Sequence, residues 1–137
     1  MLRLARTRDS LTVIDDQIGA PTGADLLADL TAHACRLARA GPELSGTYHA
    51  VAAGETSWHG YAKHVVELAR ARGEALRVAS DAIAPIPSSA YAQAAPRPKN
   101  SRLDTTKLRT AFDMALPAWQ QGVDRMLTEV LDRKEAA

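Results

Sequence analysis

Residues 96–104 hold a dense group of side chains that can bind an anion. The cationic, amide and hydroxyl side chains of this segment are Arg97, Lys99, Asn100, Ser101 and Arg102. Pro96 and Pro98 fix the backbone φ on both sides of Arg97 and bias that residue toward an extended conformation. We expect this stiff loop to present its donors to a phosphate group. The alternative interpretation is a solvent-exposed loop that caps a surface helix.

A helix is predicted directly after this loop. The residues competent to cap its N-terminus are Asn100, Ser101 and Asp104. The apolar residues that follow at helical spacing are Leu108, Ala111 and Phe112. Free backbone N–H groups and the helix dipole favour an anion at such a start. The pattern therefore predicts a phosphate-binding site at a helix N-terminus.

Gln17 is a second candidate for contact with a phosphate group. It follows the apolar, β-branched segment 11–14, which predicts a strand, and it precedes a loop that contains Gly19 and Gly23. Ligands of α/β sheets bind beyond the carboxyl ends of strands, and an uncharged donor beside a glycine-rich loop can approach a phosphate closely. The aspartates nearby are explained by the favourable placement of negative charge at the start of the next helix.

Fingerprints of nucleotide cofactors are missing from the 137 residues. No G-x-G-x-x-G follows a predicted strand, and no Walker loop occurs. The three tyrosines are followed four positions later by alanine or valine, so none forms a Tyr-x-x-x-Lys proton donor. We therefore predict no catalytic residue and no cofactor-binding residue in this sequence.

The histidines and the single cysteine do not suggest a reactive centre. The four histidines are His33, His49, His59 and His64, and they lack the spacing of a metal site. We expect structural or surface roles for all four. Cys35 is alone, which excludes an intramolecular disulfide and fits a reducing, cytoplasmic location.

Charge and hydropathy narrow the classes of partner. The chain has 17 basic and 16 acidic residues, for a net charge of +1. Such a balance supplies no broad basic face, so we expect neither a nucleic acid nor a membrane surface as partner. No apolar run approaches the ~20 residues that a membrane-spanning helix needs.

The order of predicted elements indicates an α/β fold with few parallel strands and about five helices. The predicted helices cover residues 2–8, 24–39, 58–72, a segment around 108–112, and a last helix that starts with Pro117. The predicted strands cover residues 11–14, 46–52 and 76–79, and an extended, proline-fixed connection covers 84–89. Alternation of strands and helices is typical of parallel pairing.

Several motifs, in order, resemble the dTDP-4-dehydrorhamnose reductases, which are extended short-chain dehydrogenases. They lie at residues 15–29, 31–34, 46–49, 56–62, 87–91, 97–105 and 116–119. The resemblance implies that residues 1–137 are the C-terminal, sugar-nucleotide-binding portion, in which residues 46–52 contribute a late strand of the Rossmann sheet. It also implies that the N-terminal Rossmann half, with the cofactor glycines and Tyr-x-x-x-Lys, is missing here.

The same resemblance implies roles for individual residues. The residues expected to bind the dTDP-sugar nucleotide are Arg97, Asn100, Ser101, Arg102, Gln17 and Tyr91. Some family members hold Mg²⁺ at a homodimer interface through acidic side chains, and the matching positions are Asp25 and Glu129. Asp25 is shorter than the glutamate expected there. A homodimer is the assembly that the family implies.

The implied function is therefore substrate binding for a reductase that makes dTDP-L-rhamnose for surface polysaccharide. The intact family reduces the 4-keto sugar nucleotide with NADPH or NADH, whereas we predict that this chain alone does not bind the cofactor, is inactive, is marginally stable and is prone to associate. A stand-alone, non-catalytic nucleotide-sugar-binding or regulatory partner subunit is the alternative.

Overall fold

The computed structural model describes residues 1–92, 95 and 97–135, so Pro96 of the predicted stiff loop lies outside the described residues. The α-helices of this part of the chain are α1 (Leu2–Thr7), α2 (Ala24–Ala40), α3 (Trp58–Ala71), α4 (Thr106–Phe112) and α5 (Trp119–Glu135). The strands are β1 (Leu11–Ile14), β2 (Ile18–Gly19), β3 (Thr56–Ser57) and β4 (Ile83–Ile86). The predicted α/β class with about five helices is confirmed.

Two small sheets organise the strands. β1 pairs in parallel with β4, with Leu11 opposite Ile83 and Ile14 opposite Ile86, and α3 packs on this pair. β2 pairs antiparallel with β3. None of the helices in the described part of the chain has the length and apolar character that a bilayer crossing requires.

Two of the three predicted strands are wrong within this structure. Residues 46–52 form no strand, and the nearest β-bridge joins Ala53 to Ala118 in isolation. Residues 76–79 are also not a strand, because Arg77 and Val78 donate their N–H groups to a turn of α1 instead. Whether residues 46–52 join a Rossmann sheet in a longer chain stays a prediction.

The true second strand of the parallel pair is the segment predicted as a proline-fixed connection. Pro85 lies within β4, opposite Val13, although proline lacks the N–H that a central strand needs. The position is tolerated because the β1–β4 sheet has two strands, so β4 is an edge strand.

The ends of α3 follow the sequence signals. The Ser57 hydroxyl accepts a hydrogen bond of 3.0 Å from the Gly60 N–H at the start of α3, and Gly73, with φ of 85°, follows its end. Helix α5, in contrast, begins at Trp119 and not at the predicted Pro117. The Pro117 carbonyl accepts the Ala53 N–H at 2.8 Å and the Trp119 N–H donates to the Ala53 carbonyl at 3.0 Å, so residues 117–119 form a bridge to Ala53 before the helix starts.

Helix α4 departs from prediction, because it begins at Thr106 and its N-cap residue is Thr105. Asn100 and Ser101 therefore precede the helix by several residues and do not cap it, whereas the Asp104 carboxylate accepts the Thr106 N–H at 2.9 Å. The predicted placement of the loop's donors at the helix N-terminus is wrong, and phosphate binding by the loop stays a prediction.

Three buried clusters hold the elements together. The α3–α5 cluster includes Ala52, Val65, Ala69, Trp119, Val123, Leu127 and Leu131. The cluster beneath β1 and β4 includes Ala5, Leu11, Ala62, Val66, Val78 and Ile83. The cluster between α2 and α4 is built on Leu30, Leu108 and Phe112. The sequence pattern predicts that Met126 and Val130 also face inward, whereas they are 43% and 45% exposed.

Candidate functional site

A cleft of about 570 Å³, hereafter the first cleft, lies between β2, the start of α3, and α5. The loop from Gln17 to Gly23 forms one wall, and Gly122, Val123 and Met126 of α5 form another. Arg97, Pro98 and Ser101 close a third side. The first cleft thus collects residues from four separate parts of the chain, namely residues 17–23, 56–61, 97–101 and 122–126.

Backbone hydrogen bonds place the loop 97–101 against the first cleft. The N–H of Ile18 donates to the carbonyl of Lys99 at 2.8 Å, and the N–H of Ser101 donates to the carbonyl of Ile18 at 2.8 Å. Strand β2 is therefore held between β3 on one side and this loop on the other. The arrangement fixes the position of Ser101 beside Gly19, where a Cβ on the glycine would lie 3.5 Å from the Ser101 Cβ.

Two of the three loop cations are held by carboxylates. Lys99 Nζ lies 3.0 Å from Asp16 Oδ2, and Asp16 also accepts hydrogen bonds from the Ser88 N–H and hydroxyl at 2.8 and 3.0 Å. Arg102 donates from Nη2 to Glu55 at 3.0 Å and forms a second hydrogen bond from Nε to the same carboxylate. These contacts lower the pKa of Asp16, chiefly through Lys99, and lower the pKa of Glu55 through Arg102.

The predicted site residues of the loop therefore separate into two groups. Arg97 and Ser101 line the first cleft, whereas Arg102 and Asn100 do not. The Asn100 side chain accepts from the Arg102 N–H at 3.1 Å and so shapes the loop itself. Arg97 has no ion-pair partner among the described residues, which leaves its charge available at the cleft.

Gln17 lies in the wall of the first cleft and is 7% exposed. Its amide nitrogen is buried and finds no hydrogen-bond partner among the residues that the structure describes. Burying an unpaired amide donor costs roughly 1–3 kcal/mol, so such groups in native proteins need an explanation. A ligand that supplies an acceptor oxygen would provide one.

Tyr91, which was also predicted to bind the sugar nucleotide, does not line the first cleft. It is 53% exposed and lines a second cleft of about 790 Å³, together with apolar residues of α1 and β1 such as Leu4, Leu11 and Val13. Three residues, Gln17, Trp58 and Arg97, line both clefts. The structure therefore does not bring Tyr91 into the first cleft with Ser101, although the two clefts share a wall.

The apolar walls of the first cleft include aromatic residues that sequence reasoning assigned to the core. Trp58 is 51% exposed, and its ring meets the ring of Tyr61 edge to face at 6.1 Å between centroids. Burial raises the pKa of the Tyr61 hydroxyl. The signal that could have revealed them is their place in the first turn of a helix that follows a capping serine, which is where ligands approach helices.

The histidines serve structural contacts. His59 Nε2 lies 2.9 Å from the Ile83 carbonyl, and its Nδ1 lies 3.6 Å from Asp15 Oδ1. The same Asp15 oxygen accepts the Ser57 hydroxyl, so this serine is paired with a carboxylate, and no imidazole nitrogen bonds to it among the residues that the structure describes. The group lacks the hydrogen bond that nucleophilic catalysis requires. His64 Nε2, at 2.5 Å from Asp124 Oδ1, joins α3 to α5.

The residues at the expected Mg²⁺ position do not fit a metal site. The guanidinium of Arg125 contacts Asp25 through Nη2, and its Nε lies 3.7 Å from Glu129 Oε1. A cation of the protein therefore already occupies the space between the two carboxylates. Within the described residues, no group of three or more His, Cys, Asp or Glu side chains is arranged to hold a metal ion.

Comparisons with known proteins agree with one another. The RmlD substrate binding domain family matches residues 1–132. The chain is 54% identical over 130 residues to the dTDP-4-dehydrorhamnose reductase of Salmonella typhimurium (strain LT2). The aligned residues make up 95% of this chain and 43% of that protein. It is 43% identical over 137 residues to the reductase of Burkholderia thailandensis, covering 97% of this chain and 46% of that protein.

Solved structures give the same result. The dTDP-4-dehydrorhamnose reductase of Bacillus anthracis in complex with NADP superposes with a TM-score of 0.71 at 31% identity, over 93% of this chain and 41% of that chain. The orthologue from Clostridium acetobutylicum gives a TM-score of 0.72 at 27% identity, over 95% of this chain and 41% of that chain. The chain thus spans less than half the length of these relatives.

Proposed function

The chain belongs to the RmlD substrate binding domain family, and on that premise we propose that it binds the dTDP-sugar nucleotide of a dTDP-4-dehydrorhamnose reductase. In the proposed reaction, dTDP-4-dehydro-L-rhamnose is reduced to dTDP-L-rhamnose, which supplies surface polysaccharide. The residues of this chain hold the nucleotide, and NADPH, or NADH, supplies the hydride from another part of the intact enzyme.

The observation that carries this proposal is the buried amide nitrogen of Gln17 in the wall of the first cleft, which has no hydrogen-bond partner within residues 1–92, 95 and 97–135. It lies in a cleft with the hydroxyl of Ser101 and with the guanidinium of Arg97, which has no ion-pair partner in the described part of the chain, while the remaining walls are mainly apolar. A buried neutral donor, an exposed cation and apolar walls suit a ligand that combines an aromatic base with a diphosphate.

The sequence indicates which steps of the reaction this chain could carry out and which need another part of the enzyme. Reduction of a ketone by hydride also needs a proton donor at the carbonyl oxygen. The sequence offers no Tyr-x-x-x-Lys pair and no glycine fingerprint for a dinucleotide. We therefore propose that this chain alone binds the dTDP-sugar nucleotide, does not bind NADPH, and does not catalyse the reduction.

Titration calorimetry with dTDP tests the binding. We expect dTDP to bind the wild-type chain, and Arg97→Gln to weaken binding by about tenfold or more, the effect of losing a charge-assisted hydrogen bond. The matched control is Arg109→Gln, which removes an exposed arginine of α4 that lines neither cleft. Absence of binding to the folded wild-type chain would refute the proposal. Oxidation of NADPH by the chain in the presence of the 4-keto sugar nucleotide would refute the predicted inactivity.

A homodimer is the assembly we propose for the intact enzyme. Met126 and Val130 are exposed and lie four residues apart on one face of α5, and Leu27 of α2 is 39% exposed. Exposed apolar side chains on one face of a helix, such as Met126 and Val130, are typical of interaction surfaces. Light scattering coupled to chromatography measures the mass directly, and Val130→Lys, which places a charge on this face at a residue that lines neither cleft, should shift the protein toward monomer.

A further inference from the structure

His59, in the first turn of α3, has an oxygen atom beside each nitrogen of its ring. Nε2 lies 2.9 Å from the carbonyl oxygen of Ile83, the first residue of β4, and Nδ1 lies 3.6 Å from Oδ1 of Asp15, which follows β1. The His59 side chain is only 16% exposed, so the protein supplies most of its surroundings. Neither His59 nor Asp15 lines either cleft, so the pair lies outside the proposed ligand site.

The carbonyl of Ile83 assigns the tautomer of the His59 ring. A carbonyl oxygen only accepts hydrogen bonds, so Nε2 must carry the hydrogen of the 2.9 Å contact. In the neutral ring this leaves a lone pair on Nδ1, which repels the oxygen of Asp15. In the imidazolium both nitrogens are donors, and Nδ1 attracts the same oxygen. One proton therefore reverses the sign of the interaction between His59 and Asp15.

The Asp15 oxygen is shared with the start of α3. The same Oδ1 accepts the Ser57 hydroxyl, and Ser57 Oγ accepts the N–H of Gly60 at 3.0 Å as the cap of the helix. The charge of His59 thus acts at the point where the end of β1, the start of β4 and the cap of α3 meet.

Other charged groups near α3 do not replace Asp15. Strands β1, β3 and β4 pack against α3 and contain no ionisable side chain. The turn at residues 80–82 also packs there and contains Asp81, and Lys63 lies one turn beyond His59; neither forms an ion pair within the part of the chain that the structure describes. Ion pairs already hold charged residues of α1 and α5, namely Arg6 with Glu74, Asp124 with His64, and Arg125 with Asp25.

His33 has a similar ring contact and the opposite neighbour. Its Nε2 lies 3.4 Å from the carbonyl oxygen of Phe112, and its Nδ1 lies 3.4 Å from Nη2 of Arg36. A neutral His33 ring can accept from the guanidinium through Nδ1, whereas a proton at Nδ1 would meet a cation. The neighbour of Nδ1 therefore decides whether a proton closes the contact, and His33 serves as the control for His59.

We propose that His59 and Asp15 form a proton-dependent clasp between the end of β1 and the first turn of α3. With the ring protonated, Nδ1–H is directed to the carboxylate and the clasp is closed. With the ring neutral, the two groups repel each other, and the Ser57 hydroxyl alone joins Asp15 to the helix cap. The stabilisation from the clasp is thus present on the acid side of the titration of the ring and is lost as the pH rises through it.

Nitrogen-15 spectra of the imidazole rings test the assigned tautomer, because they distinguish a ring nitrogen that carries hydrogen from one with a lone pair. At about pH 8, where the ring is neutral, we expect hydrogen on Nε2 of His59 and a lone pair on Nδ1. Hydrogen on Nδ1 of the neutral ring would overturn the proposal, since the contact with Asp15 would then be attractive without a second proton.

A double-mutant cycle measures the clasp itself. His59→Gln keeps a donor for the Ile83 carbonyl and removes the titratable nitrogen, and Asp15→Asn keeps an oxygen for Ser57 and removes the charge. Urea denaturation gives the unfolding equilibrium constants of both variants, the double variant and the wild type at about pH 5.5 and about pH 8. We expect a coupling that favours the folded state by roughly two- to fivefold at the lower pH, the scale of a partly exposed ion pair, and that vanishes or reverses at the higher pH. Equal coupling at both pH values contradicts the clasp.

The matched cycle of His33→Gln with Asp15→Asn should show no coupling at either pH, because His33 contacts Phe112 and Arg36 instead. The wild-type chain provides a test that needs no variant. The amide resonance of Gly60, which donates to Ser57, should titrate together with the His59 ring. A Gly60 amide that stays constant while the ring titrates would show that the proton does not reach the helix cap, and the proposal would fail.

Discussion

The ammonium nitrogen of Lys99 lies 3.0 Å from the carboxylate of Asp16, and this contact fastens the loop 97–101 to the carboxyl end of β1. Asp16 holds a second segment at the same time, because the Ser88 N–H and hydroxyl donate to it. One carboxylate thus positions two segments that the sequence separates widely. The lysine predicted to grip a phosphate instead orients the residues around the cleft.

Asp16→Asn should loosen the loop and weaken dTDP binding by several-fold. The substitution removes the charge that attracts Lys99, while the amide oxygen still accepts from Ser88. Calorimetry with dTDP measures the effect. Asp9→Asn is the control, since Asp9 forms its ion pair with Arg77, away from both clefts. An unchanged affinity in Asp16→Asn would show that the loop holds its position without this contact.

The same carboxylate predicts a response to acid. The pKa of Asp16 is lowered from 3.8, first by the hydrogen bond from Lys99 and then by the donors of Ser88. A carboxyl with a lowered folded-state pKa stabilises the fold above its unfolded pKa, and that contribution is lost as the pH falls through the folded value. We expect the Ser88 amide resonance to shift only at pH values below the ordinary aspartate range, which lies at about pH 4, and to stay constant above that range. In Asp16→Asn this titration should disappear, and its persistence would assign the shift to another group.

Phe112→Ala should destabilise the fold by about 3–5 kcal/mol, the usual cost of deleting a buried aromatic ring. Phe112 is 3% exposed and packs edge to face against Tyr48, with ring centroids 4.9 Å apart. Urea denaturation measures the free energy of unfolding. Leu103→Ala, at a leucine that is 44% exposed, should cost far less. Equal losses would mean that the cluster between α2 and α4 contributes little to stability.

Two glycine-to-alanine changes should act in opposite directions. Gly73 has φ of 85°, and a Cβ there meets no atom within 4 Å, so Gly73→Ala should cost about 1–2 kcal/mol through backbone conformation alone. Gly122 lies inside α5, and a Cβ there approaches only the Gly23 nitrogen, at 4.0 Å. Gly122→Ala should therefore stabilise by about 0.5–1 kcal/mol. Thermal unfolding of both variants checks the signs, and two changes of the same sign would contradict this account.

Removal of divalent cations should leave the stability and the oligomeric state unchanged. Arg125 lies between Asp25 and Glu129 and supplies the positive charge that a metal ion would bring. Melting curves and light scattering with and without EDTA measure the effect. A melting temperature that falls in EDTA and returns with Mg²⁺ would show that a metal displaces the guanidinium.

The long helices were predictable because their signals are local. Apolar residues recur at helical spacing in α2 and α3, Ser57 caps the start of α3, and a glycine, Gly41 or Gly73, follows the end of each helix. Strands depend on a distant partner. Residues 46–52 have the composition of a strand but no ladder partner in this structure, whereas β4 pairs despite Pro85. Composition could not distinguish these two cases.

The same distinction between local and long-range signals applies to the candidate site. Gln17 and Arg97 were found from residue type and neighbouring glycine or proline, which are local features. That Lys99 and Arg102 would be compensated by Asp16 and Glu55 depends on long-range pairing, which one sequence does not reveal. The exposure of Trp58 was not predicted either, because a tryptophan at helical spacing with apolar neighbours is usually part of the core, and its place in the first turn of α3 was the one opposing signal.

The contrast between the two tryptophans gives the protein an intrinsic fluorescent reporter. Trp119 is 5% exposed inside the α3–α5 cluster, with the His64 ring 5.0 Å away, while Trp58 stands in the wall that both clefts share. Acrylamide should quench the emission of Trp58 first, and an occupant of either cleft should shield it. Emission from Trp119 should change when the helices separate. One spectrum therefore distinguishes occupancy from unfolding without any attached dye.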